Sequence, residues 1–355
     1  MGRAEPHQAG VLCPELGEAP PRQQPYKTAL DFYSQRPTRH PAAPSCNHLT
    51  MPFSHHSHSG QFCAHAKGTL EEMIQAAIAK GFHTFALTEH IPRGDGDLYP
   101  EETLDSAGLM QLFDHYHREA VRLRDAYRSQ IQILIGMETE WIREPESREW
   151  IAKLQQKYAF DLFIGSVHHM HTVPIDFDKA MYSEARTRAG GTDERLFEDY
   201  FDAQLEMLQA LRPPIVGHFD LVRLLSDEPN RKLRQWAGVW RRIQRNLEFI
   251  AAYGGLLELN TAGLRKGLLE PYPTSEICEV FLGLGGRFTL SDDSHQVEHV
   301  ATNYARIPEF LDGVGIRELF FLQAGREGAD ARFPGISLAR VSAGELAGQL
   351  AQVDA

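Results

Sequence analysis

From Phe53 onward, short strand-like runs alternate with longer stretches whose apolar residues recur at helical spacing. The runs are Phe53–Ser57, Thr84–Thr88, Ile131–Gly136, Leu162–Val167, Pro214–Gly217, Leu256–Leu259, Arg287–Leu290 and Glu318–Leu322. Helical periodicity covers 69–80, 109–129, 150–158, 195–211, 233–253 and 275–284. The first of these helices opens with a capping-box pattern, Thr69-Leu70-Glu71-Glu72, and closes at Gly81. Most of the runs are apolar throughout rather than alternating, which predicts a parallel sheet covered by helices on its outer face. Repeated strand–helix units of this number predict a closed α/β barrel rather than an open doubly wound sheet, whose polar groups would gather near a single switch point.

Polar residues collect at one end of these runs. The first run leads into His56 and His58, the second into Glu89-His90, and the third into Glu138. The fourth ends at His168-His169, the fifth at His218, and the seventh at Asp292-Asp293-Ser294-His295. Residues i and i+2 of a strand share a face, so His56 and His58 present two imidazoles side by side, and His55 faces away. A lone histidine at a strand end is more often a hydrogen-bonded rim residue than a ligand. Successive strand ends all finishing in His, Glu or Asp are not expected from random placement, and they predict metal binding at the C-terminal rim of a barrel. The donors outnumber the needs of one ion, so two or three divalent ions (Zn, Fe or Mn) are expected, with Glu138 placed to bridge two of them. Such ions acidify water and clamp the oxygens of a phosphoryl group. No cysteine falls at a strand end, which argues against a thiolate ligand and for hydrolysis over electron transfer.

The rest of the composition narrows the setting. The 355 residues are 42% hydrophobic and 24% charged, ordinary for a globular protein. No apolar run is long enough to span a bilayer. The net charge of −12 argues against a nucleic-acid surface while allowing a local anion site. Four scattered cysteines without a C-x-x-C pair fit a reducing compartment, and a cytoplasmic enzyme of open oligomeric state is expected. Residues 1–50 are rich in Pro, Gln, Arg and Ala and have no apolar leader segment. They read as a disordered extension before a catalytic domain over 51–355, with Met51 a candidate start.

His56-Ser57-His58, Thr88-Glu89-His90, Gly136-Met137-Glu138, Gly165-Ser166-Val167-His168, Gly217-His218 and Asp293-Ser294-His295 together resemble the ordered motifs of the PHP (polymerase and histidinol phosphatase) family. The segments Gly165 to His169, Glu258 to Lys266 and Pro271-Tyr272-Pro273 are similar to its monofunctional histidinol-phosphatase branch. The resemblance implies a distorted (β/α)7 TIM-like barrel with a trinuclear metal centre that hydrolyses L-histidinol phosphate to L-histidinol and phosphate. It implies one ion on His56, His58, Glu138 and Asp293, a second on Glu138, His168 and His218, and a third on His65, His90 and His295. Glu89 stands where an Asp is common, and Asp292 is left without a role.

In-line attack on phosphorus is then expected beside Glu138 and Asp293. Arg265, in a loop after a strand, is expected to grip phosphate, with Lys266 as a weaker neighbour and His169 on the substrate side. Asp292, His169 and Glu89 are the candidates for protonating the leaving oxygen. Two alternatives remain: another PHP-type phosphoesterase acting on a nucleotide or other small ester, and an amidohydrolase-like metal hydrolase. The second usually bridges its ions with a lysine, which no middle strand end supplies here. Deleting residues 1–50 is expected to leave activity unchanged, and a collapse of activity in the truncated protein would refute the extension.

Overall fold

The computed structural model describes residues 1–2, 52–325 and 336–353. Apart from its first two residues, the expected extension at 1–50 lies outside the described residues, as does Met51. Seven parallel strands form the centre: β1 (Phe53–Ser54), β2 (Thr84–Leu87), β3 (Gln132–Ile135), β4 (Ile164–Gly165), β5 (Ile215–Val216), β6 (Leu256–Asn260) and β7 (Arg287–Ser291). The first three pair in sequence, and so do the last four. Single parallel bridges from Glu138 to Ile164 and from Ser57 to Ser294 join the two groups at both seams. The sheet therefore closes into a distorted (β/α)7 barrel, and both seam bridges involve or adjoin the polar strand ends.

Helices α1 (Leu70–Ala79), α2 (Ser106–Tyr127), α3 (Glu146–Lys157), α4 (Asp193–Leu211), α5 (Ala237–Tyr253), α6 (Ser275–Gly283) and α7 (Ile307–Val314) surround it. Their ends follow local chemistry. Thr69 and Glu72 form the expected capping box, and Asp105 and Thr192 accept from Gly108 N and Arg195 N. Gly254, at φ 78°, stops α5 in the left-handed conformation a glycine adopts without penalty. Inside the ring, Ala86, Leu134, Leu162, Ile164, Ile215 and Leu256 pack as one apolar cluster. Purely apolar strands are thus explained by burial on both faces.

The last apolar run is not a ring strand. Glu318–Ala324 (β8) pairs antiparallel with Ile336–Ser342 (β9), and a helix over Ala343–Val353 follows, which the periodicity did not predict. This hairpin seats on the end of the barrel away from the polar rim. Phe321 stacks on Phe53 at 4.9 Å, and Leu322 and Ile336 complete the interior cluster. Leu322 N donates to His55 Nε2 at 3.0 Å, while His55 Nδ1 lies 3.3 Å from Thr289 Oγ1. Burial lowers the His55 pKa to about 4, so the ring stays neutral and able to accept. The short hairpin at His169–Pro174 and the helix over Lys179–Arg188 were also not expected, since paired strands of two residues leave no periodic signal. Among the described residues no helix is long and apolar enough to cross a membrane.

Because Leu322 is fully buried against the barrel interior, Leu322→Ala is expected to cost about 2–5 kcal/mol. Chemical denaturation measures this, and a loss within ±0.5 kcal/mol, the usual range for a surface substitution, contradicts the plug.

Candidate metal centre

The rim is built by continuing the strands a few residues past their ladders. Ser57 N donates to Thr88 Oγ1 at 3.0 Å, Ser57 Oγ to Ala86 O at 2.7 Å, and His58 N to Ser294 O at 2.8 Å. Held this way, His56 and His58 lie with ring centroids 5.1 Å apart, while His55 points to the hairpin. A Cβ on Gly217 would come within 2.7 Å of Ile164 Cγ2 and Ser166 Oγ, so only glycine lets the chain pass here to place His218. Asp293 has φ 48°, a left-handed conformation that Asp tolerates better than most residues.

Three donor groups result. In the first, His56 Nε2 and His58 Nε2 lie 3.2 and 3.4 Å from Glu138 Oε2, and 3.6 and 3.5 Å from Asp293 Oδ1. In the second, Glu138 Oε1, His168 Nε2 and His218 Nε2 form a triangle with sides of 3.2, 2.9 and 3.1 Å. Donors about 2.0–2.1 Å from one small cation sit roughly 3.3 Å from each other. The third group is looser. The His65 ring lies 5.0 Å from His295 and 5.3 Å from His90, and Cys63 joins the same metal-capable set. His90 also reaches the first group, with Nδ1 2.9 Å from Glu138 Oε2.

Cys63 adds a group that the strand-end pattern did not single out. It is not at a strand end, yet the loop after β1 folds its buried Sγ to 3.3 Å from His65 Nε2, so a thiol does border the site. Linear distance from a strand end cannot show where a loop returns.

Behind the imidazoles stand carboxylates that the strand-end pattern did not single out. Glu258 Oε1 lies 2.8 Å from His56 Nδ1, and its Oε2 accepts from His218 N at 2.7 Å and Asn260 Nδ2 at 3.0 Å. Ser291 Oγ donates to the same group. Glu140 lies 3.2 Å from both His168 Nδ1 and His169 Nδ1. A carboxylate behind a ligating histidine fixes its tautomer and orientation. The signal was available: Glu258 is the single acid in an apolar strand, and Glu140 follows Glu138 on the same face.

The remaining candidates fall as follows. Asp292 faces away, accepting from Ser54 Oγ at 3.0 Å and Ala301 N at 2.7 Å, and burial raises its pKa to about 6. Glu89 accepts from Ser59 N and Oγ at 2.8 and 2.7 Å and stands 3.7 Å from His58 Nδ1. Arg265 is half-buried and donates to Asp293 O at 2.9 Å, while Lys266 is exposed. His169 is buried, with its ring 5.3 Å from Tyr99.

The electrostatics suit a cation. Burial alone would lower the His56 pKa, but the Glu138, Asp293 and Glu258 carboxylates carry it well above the ordinary value. Burial would likewise raise Glu138, and the surrounding His56, His168 and His90 rings hold it well below the carboxylate range. His90 and His295 go the other way: burial, then the neighbouring His58, keeps both well below the usual value and therefore neutral, the state that donates a lone pair. His56 Nε2, His58 Nε2 and His90 Nε2 are buried without hydrogen-bond partners. Orphaned imidazole nitrogens converging on buried carboxylates fit a borderline divalent metal.

The PHP domain family matches residues 54–262. A protein of Schizosaccharomyces pombe described as a probable histidinol-phosphatase is 46% identical over 281 residues, covering 78% of this chain and 92% of its own. The histidinol-phosphatase of Saccharomyces cerevisiae is 33% identical, covering 73% of this chain and 87% of its own. In fold, the chain matches the Lactococcus lactis histidinol phosphate phosphatase complexed with zinc, L-histidinol and phosphate, with a TM-score of 0.60. That match covers 78% of this chain and 98% of that one at 21% identity, and it bears on the fold alone. Strand-end motifs in order, a closed seven-strand ring and relatives matched over most of their length place this chain in the PHP domain family.

Proposed function

We propose that this protein is a metal-dependent phosphomonoesterase that hydrolyses L-histidinol phosphate to L-histidinol and phosphate, acting in the cytoplasm in histidine biosynthesis. The observation that carries the chemistry is the buried Glu138 carboxylate shared by two groups of imidazoles. The relatives named histidinol-phosphatase, matched over most of their length, support the substrate.

His56, His58, Glu138 and Asp293 would hold one divalent ion, Glu138, His168 and His218 a second, and His65, His90 and His295 a third, with Cys63 beside it. Zinc is a suitable ion for such imidazole and carboxylate donors, and iron and manganese are the alternatives. Cations bound there supply charge against phosphoryl oxygens and acidify water. The chain does the rest. Glu258, Glu140 and Glu89 lie behind His56, His168 and His58, so these rings are aimed before substrate arrives. Arg265 holds the Asp293 carbonyl, and its buried, unpartnered Nε offers a further donor to a phosphate oxygen. Asp292 and Glu89 are turned to backbone and serine partners, and the buried, unpartnered Nε2 of His169 supports assigning to it the protonation of the leaving oxygen.

Expression in a histidine auxotroph that lacks this phosphatase is expected to restore growth; soluble, metal-loaded protein that fails to do so contradicts the proposal. Glu258→Gln keeps the shape but weakens the hold on His56, and it is expected to lower metal affinity about 10–100-fold. Competition with a chelator measures this, and unchanged affinity refutes the role of Glu258. Arg265→Ala is expected to raise KM for the phosphate ester about 10–100-fold, the loss of charge-assisted bonds, with metal content unchanged. Metal loss in that variant would instead make Arg265 a support for Asp293.

A further inference from the structure

The loop between β2 and α2 contributes no proposed ligand beyond His90 at its start, yet two of its acids reach the groups that hold the ligands. The loop's shape is fixed locally. Glu102 N donates to Tyr99 O at 3.0 Å, Tyr99 N to Glu102 Oε2 at 2.7 Å, and the Arg93 guanidinium lies 4.7 Å from the centroid of the Tyr99 ring. Asp97 ties the same loop to Arg143 through hydrogen bonds of 2.9 and 2.6 Å. The consecutive acids Glu101 and Glu102 then meet different partners. Glu101 Oε1 stands 3.3 Å from His65 Nδ1, and both Glu101 oxygens are buried without a hydrogen-bond partner. Glu102 instead holds the Arg93 guanidinium as a fork, with Arg93 Nε 3.3 Å from Oε2 and Nη2 on Oε1. Arg93 is 6% exposed, and its Nη1 lies 3.7 Å from Glu140 Oε2. Glu140 is the carboxylate behind His168, 3.2 Å from its Nδ1.

His65 needs such support more than the strand-end ligands do. It lies in the loop after β1, outside any strand ladder, and its side chain is 36% exposed. A proton held on Nδ1 by Glu101 leaves the Nε2 lone pair facing Cys63 Sγ, 3.3 Å away, on the side of the third donor group. A cation on Nε2 makes the Nδ1–H a stronger donor in turn, which offsets the cost of burying the Glu101 oxygens. On the other arm, Arg93 stands between two buried carboxylates and offsets part of their charge. Its planar fork is taken up by Glu102, which leaves Nη1 toward Glu140 and limits where that carboxylate can stand behind His168. Resting on the metal reading above, we propose that Glu101 and the Glu102–Arg93 pair are positioning residues for two different metal groups. Glu101 sets the third group through His65, and Glu102 with Arg93 sets the second through Glu140 and His168. One short loop thereby supports two ions by separate contacts, and a change at either acid alters one ion without the other.

The test measures zinc affinity by competition with a chelator and counts bound zinc per chain, so the readout does not depend on turnover. Glu101→Gln keeps the shape of a partly exposed side chain and is expected to weaken one ion about 10–100-fold, the usual cost of losing a partner behind a ligating histidine. In a His65→Ala background the same substitution is expected to change nothing further, because both act on one ion, while Arg93→Met there still weakens another. In a His168→Ala background the pattern reverses: Arg93→Met adds nothing, and Glu101→Gln keeps its effect. Unchanged affinity in Glu101→Gln, or the same loss with His65 present and absent, overturns the proposal. So does Arg93→Met if it weakens the ion that Glu101→Gln weakens, or all ions alike. If Arg93→Met does not fold, Glu102→Gln carries that arm, with a several-fold loss expected at the His168 ion alone and no loss overturning it. Wild-type protein that binds no zinc overturns the metal reading itself.

Discussion

Glu138 is 1% exposed, and its two oxygens stand within 3.4 Å of five imidazoles: His56, His58, His90, His168 and His218. Burying a carboxylate in a dry barrel mouth is costly unless positive charge or hydrogen-bond donors surround it. The histidines meet that requirement and are themselves desolvated, so each needs the others or a cation. Much of the molecule follows from this constraint. The rings come from four strands of the barrel, so the ring must close for the cluster to exist. Its two seams are bridged at Glu138–Ile164 and at Ser57–Ser294, next to the groups they assemble.

Closure in turn depends on apolar packing at the far end. The hairpin that caps the interior touches the rim's own strand through the His55–Leu322 bond, so the residue beside His56 is anchored to the barrel floor. Adjacent histidines thus do opposite work. His55 is kept neutral and accepting in an apolar layer, and His56 faces three carboxylates on the rim.

Much of the barrel could be read from the chain because apolar strands and polar strand ends are local signals. His56, His58, His90, Glu138, His168, His218, Asp293 and His295 each follow such a run, and the structure brings them together. Other contributions depend on how distant segments meet. Glu258 looked like one acid in a strand, and its partners, His56 and His218, come from two other strands of the ring. Cys63 reaches His65 through a loop turn. Run Glu318–Leu322 has the same apolar pattern as a parallel strand, because Leu319, Phe321 and Leu322 are buried on the barrel floor; its antiparallel direction comes from pairing with 336–342.

The central claim is that the Glu138 cluster is a metal-dependent phosphatase site for a histidine-like ester. The most direct measurement is inorganic phosphate release from L-histidinol phosphate by purified protein, before chelation, after it, and after zinc is restored. Turnover that disappears with chelation and returns with metal is the predicted result. Turnover that survives complete removal of metal, or no release at all by fully metal-loaded protein, would contradict it.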